Sequence, residues 1–105
     1  MKYQVNITEA VEQLAEAKNA AFVTVMKQGS MRVELYAPVD ADLQTPHKQD
    51  ELYIVIFGTG VFYRNGERTP FRKGDVLFVP AGMEHRFEEF TDDFSTWVIF
   101  YGDEI

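Results

Sequence analysis

The chain has 105 residues and only two histidines, His47 and His85. Glu51 follows His47 at the entrance to the apolar run ELYIVIF (51–57), and His85 opens the run HRFEEF (85–90) just after Gly82. Both imidazoles therefore sit where an extended segment begins, beside turn-forming residues. Two imidazoles and one carboxylate converging at one end of a β-structure make a facial triad, with three protein ligands on one side of an ion and three positions open. Iron(II) suits that set; zinc, manganese or nickel can also occupy it. By type and spacing alone, each histidine could equally be an ordinary polar loop residue. There is no cysteine, which removes thiolate ligation and any disulfide framework. A metal would have to be held by imidazole, carboxylate, amide oxygen or water.

Other candidates carry less. Ser30 and Ser95 have no histidine near them in sequence, so a nucleophile–base pair is not indicated. Gly58-Thr59-Gly60 resembles a phosphate loop only superficially, because no helix start follows. Glu88-Glu89 and Asp92-Asp93 read as solvated turns rather than paired acid–base carboxylates. The net charge of −7 argues against nucleic acid and against anionic membrane surfaces as partners. No apolar run approaches the ~20 residues of a membrane span, and MKYQVNITEAVEQ lacks the apolar centre of a signal peptide. A cytoplasmic location is expected, and the sequon Asn6-Ile7-Thr8 then has no meaning as a glycosylation site.

The elements that must position the triad are mostly strands. A short N-terminal helix is predicted over about 7–18, ending near Lys18-Asn19, from the stripe Ile7, Val11, Leu14 with Ala10, Ala15 and Ala17 around it. Asn6 or Thr8 can cap it, and Glu9 and Glu12 suit its first turns. Strands follow at 21–26, 31–37, 51–57, 61–64, within 66–72, and at 76–80, 85–90 and 94–101. Asn65-Gly66 is the strongest hairpin signal. About eight short strands with frequent turns predict an all-β sandwich or closed barrel in one domain spanning 1–105, the barrel being about 21–101.

Strand alternation then assigns faces. If Glu51 points inward, so should Tyr53, Val55 and Phe57; if His85 does, so should Phe87. Tyr36 and Arg32 share a face of a neighbouring strand. Tyr53, Val55, Phe87, Tyr36 and Arg32 are accordingly the expected pocket, apolar and aromatic, with the Tyr53 hydroxyl as a polar handle. Phe57 and Phe87 also fit simple core packing. A ligand-independent core is expected from Leu52, Ile54, Ile56, Val76, Phe78, Val98 and Phe100. Phe90, Phe94, Trp97 and Tyr101 look too many for one small barrel, so a homodimer is expected to bury some of them.

Two segments make the pattern specific. PHKQDELYIVIFGTG (46–60) resembles the first cupin motif, with His47 at its second histidine, Glu51 at its glutamate and Gly58 at its glycine. GDVLFVPAGMEHRF (74–87) resembles the second, with Gly74, Pro80, Gly82 and His85 at the family spacing. Fifteen residues separate Gly58 from Gly74, the short interval of compact microbial cupins, and the resemblance covers roughly 30–101. It implies a cupin-type double-stranded β-helix, a jelly-roll barrel, with a divalent metal, iron first, on His47, Glu51 and His85. The family's first histidine falls at Thr45, a poor ligand, so Gln44, Gln49 or water could complete the shell. Glu89 stands where the family often has Asn. The function implied is a metal-binding cupin acting on a small molecule, with an iron-dependent oxygenase (a dioxygenase) first. A metal-dependent isomerase and a non-catalytic binding or sensing module are the alternatives.

Overall fold

Asn6 starts the one helix among the described residues. Its side chain accepts a 2.8 Å hydrogen bond from the Glu9 N–H, and the Glu9 carboxylate lies in the first turn, where the helix dipole favours it. In the computed structural model, which describes residues 2–18 and 20–105, α1 runs Ile7–Glu16 and is C-capped at Ala17, short of the expected end; Asn19 lies outside the described residues. Its packed face is not the expected one. Ala10 is fully buried and, with Leu14, packs on Val25, Leu35 and Ile56, whereas Ile7 and Val11 are exposed. A small residue at the contact lets the helix approach the sheet closely, and that rotates the larger side chains to its flanks.

Among the described residues eight strands follow: β1 (Phe22–Gln28), β2 (Met31–Tyr36), β3 (Asp50–Phe57), β4 (Thr59–Arg64), β5 (Glu67–Arg72), β6 (Val76–Val79), β7 (His85–Glu88) and β8 (Ser95–Tyr101). They form two antiparallel sheets, ordered β1-β2-β8-β3-β6 and β5-β4-β7. The expected all-β barrel with one short helix is what the chain adopts. Asn65 and Gly66 turn β4 into β5 with φ of 47° and 89°, both positive as a type I′ turn requires.

The core lies between the sheets. Phe87 sits at its centre, edge-to-face with Tyr53 and Phe71 at 4.9 and 5.3 Å and tilted against Phe94 at 4.7 Å. Glu51, Tyr53 and Val55 alternate inward as expected, but Phe57 does not: it is 43% exposed. The register between β3 and β8 shifts between Val55 and Phe57, and this bulge turns the end of the strand outward. The expected core is also partly wrong. Val98 and Phe100 are buried inside and Ile56 is buried under α1, but Val76 and Phe78 are 63% and 42% exposed. Leu52, Ile54, Val76 and Phe78 occupy the outer face of the five-stranded sheet, because the alternate residues Tyr53, Val55 and Val79 fill the inner one. Three of the four late aromatics find places within the chain: Phe94 is buried in the barrel, Phe90 packs on it and Trp97 packs against the cluster under α1, while Tyr101 is half-buried at the end of the chain's last strand. No helix among the described residues is long and apolar enough to cross a membrane.

Candidate metal centre

The triad is assembled from three places. Glu51 is the second residue of β3 and faces inward at 1% exposure; His85 opens β7 at 2% exposure; His47 sits half-buried in the loop before β3. Backbone bonds tie the two segments together. The Gly82 N–H donates to the His47 carbonyl at 2.7 Å, and the Ala81 N–H donates to the Asp50 carboxylate at 2.9 Å. The turn leading into His85 is thus fastened to the segment carrying His47 and Glu51.

One ligand atom from each of the three residues lies within 4.8 Å of the others. His85 Nε2 is 2.8 Å from Glu51 Oε1, and His47 Nε2 is 3.9 Å from Glu51 Oε2. His85 Nδ1 is 2.9 Å from the Met83 carbonyl, which can only accept. The proton of the neutral ring therefore belongs on Nδ1, and the Nε2 lone pair points into the site. This is how a protein commonly fixes a metal-binding imidazole. Both oxygens of Glu51 are buried, and neither has a well-formed hydrogen bond among the described residues, despite the close approach of His85. An orphaned buried carboxylate is costly unless a cation compensates it. The donor set and this orphan fit a divalent ion.

The environment polarises the two imidazoles in opposite directions. Burial pushes His47 below the ordinary histidine value, with Glu51 opposing. Burial also pushes His85 down, but the contact with Glu51 and the Met83 carbonyl outweigh it and raise the ring above that value. Tyr53 is pushed well above the ordinary tyrosine value by burial first, then by the charges of Glu51 and Asp42.

A cavity of about 190 Å³ adjoins His47, and Arg32, Tyr36, Gln44 and Tyr53 line it. Val55 and Phe87, expected in the pocket, belong to the packed core instead, because aromatic rings fill the space beneath the site. Of the three candidate extra ligands, Thr45 is exposed, and Gln49 is turned away, its amide donating to the carbonyls of Ser30 and Gly102 at 2.8 and 3.0 Å. Gln44 is the one that reaches the site, its Oε1 lying 3.0 Å from Nε2 of both histidines. One participant was missed. Asp42, only 7% exposed, accepts from Tyr36, from the Phe87 N–H and from both N–H groups of Gln44. Nothing in the polar loop 38–46 marks it out in sequence, because its partners lie on β2 and β7.

Residues 32–100 match the family model of the cupin domain. The chain belongs to the cupin family. An uncharacterised protein of Streptomyces coelicolor is similar to this cupin, with 35% identity over 95 residues, covering 88% of this chain and 90% of the relative. An oxalate-binding protein of Thermotoga maritima is 40% identical over 45 residues, covering 40% of this chain and 37% of its own length. Among solved structures, a cupin 2 conserved barrel domain protein of Salinispora arenicola superposes with a TM-score of 0.69 at 19% identity, covering 97% of this chain and 89% of the other. That structural likeness supports the barrel, while the metal centre rests on the side chains described above.

Proposed function

We propose that this cupin holds one divalent metal through His47, Glu51 and His85 and acts on a small molecule in the adjoining cavity, with iron(II)-dependent oxygenation as the specific chemistry. The carrying observation is the buried Glu51 carboxylate, with no well-formed hydrogen bond, beside two imidazoles. When bound, the metal would supply Lewis acidity and, as iron(II), open positions for substrate and dioxygen.

The protein's own residues define the substrate by size and polarity. The cavity, about 190 Å³, is smaller than the roughly 300–1,000 Å³ typical of drug-sized ligands, so the substrate is compact. Val98, Phe100 and the tyrosine rings give it largely apolar walls. Arg32 donates through Nε to Glu34 at 2.8 Å and stacks on Phe100 at 4.4 Å, which leaves its terminal N–H groups for a carboxylate or carbonyl oxygen. The name of the Thermotoga maritima relative points to the same oxygen-rich class.

A binding module or an isomerase is the second reading, and one observation favours the binding module. Tyr36 and Tyr53 both donate their hydroxyl protons within the protein and are held protonated, so neither is a free base. Metal analysis of protein purified without chelator, followed by oxygen-uptake assays over small hydroxy and keto acids, separates the readings. Stoichiometric iron with substrate-dependent oxygen uptake is expected. Zinc or nickel without uptake would move the assignment to the second reading, and protein that neither carries nor binds a divalent metal would end both.

A further inference from the structure

We propose that Gln44 is a fourth protein ligand of this centre, standing in for the histidine that position 45 lacks. Asp42 is the positioning residue that turns the Gln44 amide oxygen toward the ion. The assignment rests on the metal-centre reading above and adds to it two residues of the loop between β2 and β3.

Distance is the first support. Ligands on adjacent corners of a six-coordinate ion with bonds of about 2.1 Å lie about 3 Å apart. Gln44 Oε1 is 3.0 Å from His47 Nε2 and 3.0 Å from His85 Nε2, and His85 Nε2 is 2.8 Å from Glu51 Oε1. The amide oxygen thus falls within the 2.8–3.9 Å range that separates the two imidazole nitrogens from the Glu51 oxygens.

Orientation is the second. An amide could present either end to the site, but here only one end is allowed. Gln44 Nε2 donates to Asp42 Oδ2 at 2.7 Å, and the Gln44 backbone N–H donates to Asp42 Oδ1 at 3.2 Å. An ionised carboxylate only accepts, so a flipped amide would set oxygen against oxygen. Asp42 is itself fixed by the Phe87 N–H at 2.8 Å and by the Tyr36 hydroxyl.

The third support is a shortage of donors. With the His85 proton on Nδ1 toward Met83, the Nε2 lone pair, two carboxylate oxygens and the Gln44 oxygen converge. The Tyr53 hydroxyl, 3.1 Å from Gln44 Oε1, and His47 Nε2, 3.0 Å from it when the ring proton sits on that nitrogen, are donors to this group, and neither leaves Glu51 with a well-formed hydrogen bond. A second proton on His85 would supply one more donor, directed at a single oxygen. A cation answers all of these acceptors at once.

Cobalt(II) titration, followed by visible absorption, tests the proposal on the full chain. Wild type should bind one ion. Gln44→Leu removes the oxygen and offers no donor atom in its place; it should bind at least about tenfold more weakly and with altered absorption bands, because a ligand is lost. Asp42→Asn should bind about 10–100-fold more weakly yet reach the wild-type spectrum at saturation, the signature of a residue that orients a ligand. Gln44→Asn, one methylene too short to reach, repeats the first test if Gln44→Leu does not fold. If the Gln44 variant keeps wild-type affinity and spectrum while His85→Ala loses the ion, Gln44 is not a ligand and the three-residue centre stands. A wild type that binds no cobalt(II) overturns both.

Discussion

His85 is held at Nδ1 by the Met83 carbonyl, while Glu51 Oε1 and Gln44 Oε1 face its Nε2 at 2.8 and 3.0 Å. His85→Ala removes one of only two imidazoles in the chain, so stoichiometric metal binding should be lost. The far-UV spectrum should stay β-like, with stability lower by about 1–3 kcal/mol for the vacated buried site. Metal retained by this variant in elemental analysis would count against the centre. Glu51→Gln should act in two opposed ways. It neutralises a buried carboxylate that has no well-formed hydrogen bond, so the metal-free protein in alkaline buffer should gain about 1–3 kcal/mol in denaturant melts. Its metal affinity should fall. Stability unchanged or lowered would mean that the carboxylate is already satisfied without an ion. At this scale His47, Glu51 and His85 were legible in sequence because motif spacing carries them. Gln44 and Gln49 were indistinguishable there, since only the fold shows that Gln49 is engaged by Ser30 and Gly102. Asp42 was illegible, because its role comes from contacts to Tyr36 and Phe87, far along the chain.

Strands and turns were readable as elements from period-2 alternation and from signals such as Asn65-Gly66, and the helix from its cap. Face assignments failed where packing, not pattern, decides. Ala10 rather than Ile7 or Val11 meets the sheet, and the shift at Val55/Phe57 breaks an alternation that the sequence alone would continue. Glu89 is instructive in the same way. It follows β7 with a φ of 49°, a left-handed conformation that strains a branched-off side chain but suits Asn or Gly. The Asn that cupins often carry here therefore has a backbone reason. Glu89→Asn should raise stability by about 0.5–1 kcal/mol, or a few degrees in melting temperature, without touching the metal site. A melting temperature unchanged or lower in Glu89→Asn would show that the turn carries no such strain. Ala10→Leu, by contrast, should cost about 1–3 kcal/mol by forcing α1 off the sheet.

At the scale of the whole molecule, the buried aromatic cluster around Phe87 is complete without any ligand residue. Chelation should therefore lower the melting temperature but leave the β spectrum intact; complete unfolding would mean that metal binding supplies the folding energy. The outer surface divides sharply. The three-stranded sheet carries charged pairs, Arg68 and Arg86 with Glu88, stacked on Tyr63. The five-stranded sheet is covered by α1 only over β1, β2 and part of β8 and β3. Beyond the helix, Leu52 lies between Phe78 and Ile99 across the strands, and Ile54 lies beside Val76. We propose that a second copy of the chain covers this face. Of the late aromatics expected to drive association, Phe90 and Phe94 pack inside the chain, while Trp97 pairs with Ile54 at the border of this face. Apolar side chains paired with their own symmetry mates make a self-complementary two-fold contact. Each copy carries a net charge of −7, so mutual repulsion opposes that contact and salt should weaken the repulsion. Sedimentation at high micromolar concentration should thus show a dimer that tightens as ionic strength rises. Phe78→Glu, which places a charge on this face at the edge strand β6, should sediment as a folded monomer at every salt concentration. A wild-type chain that stays monomeric in high salt, or a Phe78→Glu variant that dimerises as wild type does, would rule this face out.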